Sequence, residues 1–230
     1  AFGSPCQGFS YAGKMLNFDD PRSAFFFEAV RILNECKQIN PDVKFLMENV
    51  DMPKKWLKII SEHLGVYPVN INSNLVSAQN RNRWYWTNIK TKQVGLFVEV
   101  HSDIPQPNDC GIMLRDILEN EVDEKYFYTK KGIDWINRHS KRTGKKIKLF
   151  TGYDKFPCLE ATMYKKYSAQ RFWAILTNNK MRYITPTECA RLQTIPEWYK
   201  WVCSDTQQYK MLGNGWTNDV IVHILSFLKF

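Results

Sequence analysis

Three short polar clusters carry the residue types that chemistry needs. The first is SPCQ at 4–7, where Cys6 follows a proline and glycines stand at positions 3, 8 and 13. A cysteine that only fills space belongs in an apolar periodic stretch. This one lies among turn-formers, where backbone is bent and exposed, a setting that suits a nucleophile. The second cluster is ENV at 48–50, in which Glu48 closes an apolar run. A carboxylate there needs a partner or a purpose. The third is QNRNR at 79–83. If that stretch is extended, Arg81 and Arg83 share one face, because strand side chains repeat every two residues. Each cluster also has a plain reading: an ion-paired or helix-capping carboxylate for Glu48, a phosphate clamp or surface salt bridge for the arginines. Together they match a nucleophile, an acid and a binder of anions or base edges.

The elements that must position these residues are legible from periodicity and caps. Asp20 and Pro21 start a helix in which Phe26, Val30, Leu33 and Cys36 recur at helical spacing, so Cys36 is expected in the core. VKFLMENV reads as a buried strand ending at the glutamate. PKKWLKIISEHLG reads as a helix from Pro53 to Gly65, with VYPVNIN and NRWYWTNI as further strands. Strands alternating with helices predict an α/β domain with a mostly parallel sheet, and such sheets place their sites at strand ends. From about 90 to 181 regularity weakens: IMLRDILEN looks helical, KKGIDWINRH less clearly so, and KRTGKKIKLFTGYDKFP is turn-rich. Periodicity returns with TPTECARLQ, a capping-box helix start at Thr185 and Glu188, then SDTQQYKMLG and NDVIVHILSFLKF.

Charge singles out one segment. The 230-residue chain has a formal net charge of +9. Residues 129–182 hold 14 Lys and Arg against 3 acids, while the remainder has 18 bases and 20 acids. The basic segment is interleaved with Trp135, Phe150, Tyr153, Phe156, Tyr164, Tyr167, Phe172 and Trp173, a mixture suited to phosphate and base contact as well as to a solvated lysine-rich surface. No apolar run approaches the roughly 18 residues of a membrane span. Six scattered cysteines form no CxxC pair and no metal-ligand spacing, which points to thiols in a reducing cytosol and to no metal site.

In order and nearly end to end, these signatures resemble the DNA (cytosine-5) methyltransferases. GSPCQGFS resembles the family's catalytic loop, ENV its glutamate signature and QNRNRWYW its Gln-x-Arg-x-Arg segment. RYITPTECARLQTIP and LGNGW resemble its two C-terminal signatures. The resemblance implies a Rossmann-like α/β fold using S-adenosylmethionine, with a smaller irregular target-recognition domain inserted. Residues 1–90 would be catalytic, 91–181 would recognise the target, and 182–230 would return to the catalytic domain. It implies that Cys6 adds to C6 of a flipped-out cytosine, that Glu48 sits against N3 and the exocyclic amine, and that Arg83, with Arg81, binds O2 or the adjacent phosphate. Pro5, Gly213, Asn214 and Gly215 would border the cofactor. Double-stranded DNA would meet Gln7, Ser10 and Gln79, together with Lys145, Lys146, Lys148, Lys165, Lys166 and Arg171 in the basic insertion.

Two departures qualify the resemblance. The family's glycine-rich cofactor turn is not in this sequence, so the chain is expected to be an N-terminally truncated piece, inactive alone, or one half of a split enzyme. Trp216 stands where the family usually has a small aliphatic residue. The alternatives are a tRNA cytosine-5 methyltransferase, which uses the same catalytic residues with a smaller recognition region, and a non-catalytic DNA-binding fragment. The implied setting is the cytoplasm of a bacterial or phage-infected cell, away from membranes, with a cognate restriction endonuclease as a partner.

Overall fold

Periodicity and caps build most of the elements where the sequence places them. The computed structural model describes residues 1–4, 24–96, 98–144, 147–167 and 173–229. Along the chain come strand β1 (Phe2–Gly3), helix α1 (Ala24–Ile39), β2 (Leu46–Val50), α2 (Lys54–Leu64), β3 (Val69–Asn72), β4 (Gln79–Asn80) and β5 (Asn82–Thr87). There follow β6 (Thr91–Val94), β7 (Glu99–Ser102), α3 (Lys130–Thr143), β8 (Lys148–Phe150), β9 (Phe156–Pro157), β10 (Trp173–Thr177) and β11 (Lys180–Arg182). Three helices close the chain: α4 (Pro186–Leu192), α5 (Asp205–Asn214) and α6 (Asn218–Leu225). These elements group into two units, one formed by 1–72, 82–107 and 222–230, the other by 73–81 and 108–221. Helices α4 and α5 fall in the second unit, with residues 108–181.

In the first unit the sheet order is β1-β2-β5-β3. β1 runs parallel to β2, whereas β5 is antiparallel to both β2 and β3. The sheet is thus mixed, which corrects the mostly parallel expectation. The link over 73–81 is shorter than the dozen or so residues that a parallel return needs, so β5 runs back along β3. Met47, Trp84 and Trp86 face α1 and α2, joining Phe26, Val30, Leu33, Ile60 and Leu64 in one core. Glu48, Arg83 and Tyr85 take the alternate positions and so the other face.

Helix α2 ends where its glycine predicts. Gly65 adopts the left-handed conformation at φ 73° and its N–H bonds the carbonyl of Ser61. In α1, Phe26, Val30 and Leu33 are buried but Cys36 is exposed. The stripe set by 26, 30 and 33 continues at 37; position 36 lies about 80° to the side, at about 100° of turn per residue. The expected start at Asp20 and Pro21 lies outside the described residues.

The second unit has its own core, in which Phe150, Phe156, Leu159, Ile175, Tyr183, Leu192, Tyr209 and Leu212 meet. β10 pairs with β11 antiparallel through Asn178 and Asn179, both at positive φ, and with β8 in parallel. Two such residues make the tight hairpin turn that asparagine tolerates. α4 forms the expected capping box: Thr185 Oγ1 accepts from Glu188 N, and Glu188 Oε2 accepts from Thr185 N. IMLRDILEN does not form a helix; it holds one short 3-10 turn, Leu114–Asp116. The N–H of Glu119 bonds Glu188 Oε1 instead of the carbonyl one turn back, which stops propagation.

Candidate active site

Parallel pairing of β1 with β2 sets Gly3 opposite Glu48. Ser4 Oγ then accepts from Asn49 Nδ2 at 3.0 Å, while Asn49 Oδ1 accepts from Val50 N at 2.8 Å. Both polar ends of the buried Asn49 side chain are thereby used, and Ser4 is tied to β2. Among the described residues Ser4 stands nearest Cys6 in the chain on this side; Pro5, Cys6, Gln7 and Ser10 themselves lie outside them.

Across the β2–β5 ladder, Glu48 lies one register step from Arg83, with Glu48 opposite Tyr85 and Val50 opposite Arg83. On a common face such diagonal neighbours reach each other. Arg83 Nε stands 2.8 Å from Glu48 Oε1, with side chains 13% and 12% exposed. The Nε–H is not aligned with that oxygen as a hydrogen bond, so this contact is an ion pair at close range. Arg83 Nη1 donates to the carbonyl of Asn82 at 2.7 Å. Asp51, just past β2, accepts from Trp84 Nε1 at 2.9 Å and fixes the exit of the strand. The result is a carboxylate in the middle of β2 and a guanidinium near the start of β5, mostly shielded from water, in the same unit as Ser4.

Arg81 has a different position from the one its spacing suggests. It falls between β4 and β5, not in a continuous strand with Arg83, and belongs to the second unit. Its guanidinium donates to Cys158 Sγ at 3.1 Å, Leu159 O at 3.2 Å and Gly215 O at 2.7 Å. It braces that unit from within. Gln79 is likewise enclosed, which corrects its expected place on a DNA-facing surface: its Oε1 accepts from Leu159 N, and its Nε2 donates to Leu192 O and Gln193 Oε1. Gln193, missed in the sequence, completes the network by donating to Leu212 O and Gly215 O and accepting from Thr217 Oγ1. Its signal was a glutamine closing a capped apolar helix.

The glycines expected to border S-adenosylmethionine serve the protein's own backbone. A Cβ on Gly213 would fall 2.1 Å from the carbonyl carbon of Glu160, and Gly215 O takes the bonds from Arg81 and Gln193. Asn214 is exposed at the end of α5. Pro5 lies outside the described residues. No group of three or more His, Cys, Asp or Glu among the described residues could hold a metal ion.

Of the basic residues expected on DNA, Lys148 and Lys165 are exposed, each with its ammonium over an aromatic ring, Phe150 and Tyr164. Lys166 is turned partly inward: its Nζ donates to the carbonyls of Lys125 and Phe127. Lys145, Lys146 and Arg171 lie outside the described residues. No helix of the described residues is long and apolar enough to cross a membrane.

Known proteins resemble this chain in sequence and in fold. The family model for C-5 cytosine-specific DNA methylases matches residues 1–229. The Type II methyltransferase M1.ScrFI of Lactococcus lactis subsp. cremoris is 35% identical over 93% of this chain, which spans 57% of that protein. A tRNA (cytosine(38)-C(5))-methyltransferase of Spodoptera frugiperda is 26% identical over 97% of the chain and 76% of its own length. In fold, the methyltransferase EhMeth of Entamoeba histolytica superposes with a TM-score of 0.70 at 19% identity, covering 98% of this chain and 75% of that one. Over residues 1–229, the chain belongs to the C-5 cytosine-specific DNA methylase family.

Proposed function

We propose that this chain carries the base-activating and DNA-contacting residues of a DNA cytosine-5 methyltransferase. The observation that carries the reading is the shielded Glu48–Arg83 pair, held across β2 and β5, with Asn49, the next residue of β2, bonded to Ser4, two residues before Cys6. C5 of cytosine is a weak nucleophile. Addition of the Cys6 thiolate to C6 makes C5 an enamine carbon. Glu48 accepts from the exocyclic amine and holds the ring at N3 as charge develops there, while Arg83 fixes the carboxylate and meets the O2 or phosphate side of the nucleotide. S-adenosylmethionine supplies the methyl group in the overall reaction. Loss of the C5 proton and departure of the thiolate then restore Cys6.

DNA is favoured over tRNA as the substrate by the size and charge of the segment 129–182, with its 14 bases. Type II relatives support a companion restriction endonuclease and a cytoplasmic site of action. The test is covalent capture. With S-adenosylmethionine present, duplex DNA with 5-fluorocytosine at the target should trap the full-length protein, since after methyl transfer fluorine at C5 cannot leave as a proton can, and Cys6→Ser should abolish the adduct. An adduct that persists unchanged in Cys6→Ser would place the nucleophile elsewhere and overturn the reading.

A further inference from the structure

We infer that the second unit carries, along α3, a subsite for one unstacked nucleobase and its neighbouring phosphates, distinct from the pocket of the target cytosine. The inference rests on DNA being the substrate, as proposed above. Helix α3 brings Lys131, Trp135, Arg138 and Arg142 to one side, spaced four, three and four residues apart. The helix holds five bases and one acid, Asp134. Lys131, Arg138 and Arg142 are exposed, whereas Gly132 and Ile136 face inward. A basic stripe of this length complements a phosphate backbone.

Beside the stripe is a pocket of about 340 Å³ lined by Thr129, Lys131, Gly132, Trp135 and Tyr167. His139 stacks on the Trp135 ring at 4.0 Å between centroids and steadies it. Tyr167 stands edge-on to the indole, 6.1 Å away at 76°. A Cβ on Gly132 would lie 2.2 Å from the Tyr167 hydroxyl, so the missing side chain is what lets the tyrosine lie against the start of the helix. Two aromatic walls and an ammonium at the rim fit a flat π-faced group joined to an anion. A nucleotide released from its stack has that chemistry, and aromatic stacking accepts any base.

The test separates base from phosphate. Binding of the full-length protein is measured to a single-stranded oligonucleotide and to one of equal length made of abasic sites, which keeps the phosphates and lacks the bases. Trp135→Ala should weaken binding to the first about 5- to 100-fold, the range for one stacked base, and leave the second unchanged. Trp135→Phe should retain most of the affinity, which excludes simple misfolding. Gly132→Ala, which favours the helix but displaces Tyr167, should reproduce part of the loss. Arg138→Ala with Arg142→Ala should weaken both oligonucleotides alike and flatten the salt dependence. Equal losses for both oligonucleotides in Trp135→Ala, or no loss in either, would overturn the subsite while leaving covalent capture by Cys6 intact. Failure of the parent protein to bind any DNA would overturn the subsite together with the DNA substrate.

Discussion

Two arginine–carboxylate pairs, one in each unit, use the same chemistry for opposite ends. Arg182 and Glu188 are wholly enclosed, both 0% exposed, and joined by two bonds, Nη1 to Oε2 at 2.8 Å and Nη2 to Oε1 at 2.6 Å. Glu188 also accepts from the N–H groups of Thr185 and Glu119, and Arg182 donates to Tyr183 O and Thr177 Oγ1. Every charge is answered by fixed protein groups, so nothing about the pair can change without unfolding what surrounds it. Arg83 Nε stands 2.8 Å from Glu48 Oε1, and both side chains keep a margin of exposure. A pair that keeps some exposure can meet a ligand; a fork sealed on all sides cannot. Burial thus separates a structural ion pair from a candidate catalytic one, though residue types alone do not.

The comparison breaks first on stability. Glu188→Ala strands a buried guanidinium, and such a loss costs about 3–5 kcal/mol. Denaturant unfolding should register it as a large drop in midpoint, whatever its effect on DNA. A loss below about 1 kcal/mol would mean that the sealed pair is not the staple described. The counterpart, Glu48→Gln, should leave the unfolding midpoint nearly unchanged and slow adduct formation with 5-fluorocytosine DNA at least about 100-fold. If stability falls and the rate per folded molecule does not, Glu48 is a structural carboxylate.

A smaller effect is expected where the first unit holds Ser4. Ser4→Ala removes the acceptor for Asn49 Nδ2 and should cost about 1 kcal/mol. Because the bond ties Ser4 to the glutamate strand, adduct formation should slow while affinity for duplex DNA stays the same. Equal loss of both would assign Ser4 to DNA contact instead of positioning.

These differences were only partly legible in the sequence. Local signals carried far: Gly65 ends α2, Thr185 and Glu188 cap α4, and the apolar run to Val50 makes β2. Long-range pairing did not show. The direction of β5 depends on which strand it meets, and no residue within NRWYWT encodes that. Arg81 and Arg83 look equivalent because period two relates them, yet the strand breaks at 81 and the two guanidinia enter different environments. Gln79 reads as a surface amide until the backbone groups of Leu159 and Leu192 arrive from distant sequence to enclose it. Cys36 is a different kind of miss: careful phasing of the stripe from Phe26 would have put it to one side.

An exposed pair in the second unit completes the series and carries the smallest expected effect. Asp205 accepts from Tyr126 Oη at 2.9 Å and from Lys125 Nζ at 3.2 Å. The tyrosine's hydrogen bond, with help from the lysine, holds the carboxyl below its usual range. A lowered folded value means stability fully present above about pH 4, the ordinary carboxylate value, and lost as pH falls from there through the lower folded value. Burial first, and then Asp205, push Tyr126 up to about 12, so the folded state favours the protonated phenol and loses that advantage only as pH rises from about 10 toward 12. Asp205→Asn keeps an acceptor for the hydroxyl but removes the charge. At neutral pH it should cost less than about 1 kcal/mol, because both charged side chains remain half in water. The difference from the parent should shrink as pH falls below about 4 toward the lowered value at which the parent carboxyl becomes neutral, and phenolate absorbance should show Tyr126 ionising at lower pH in the variant. A difference that stays constant down to pH 3 would mean that Asp205 acts through its shape, and the ranking of the three pairs by enclosure would lose its weakest member.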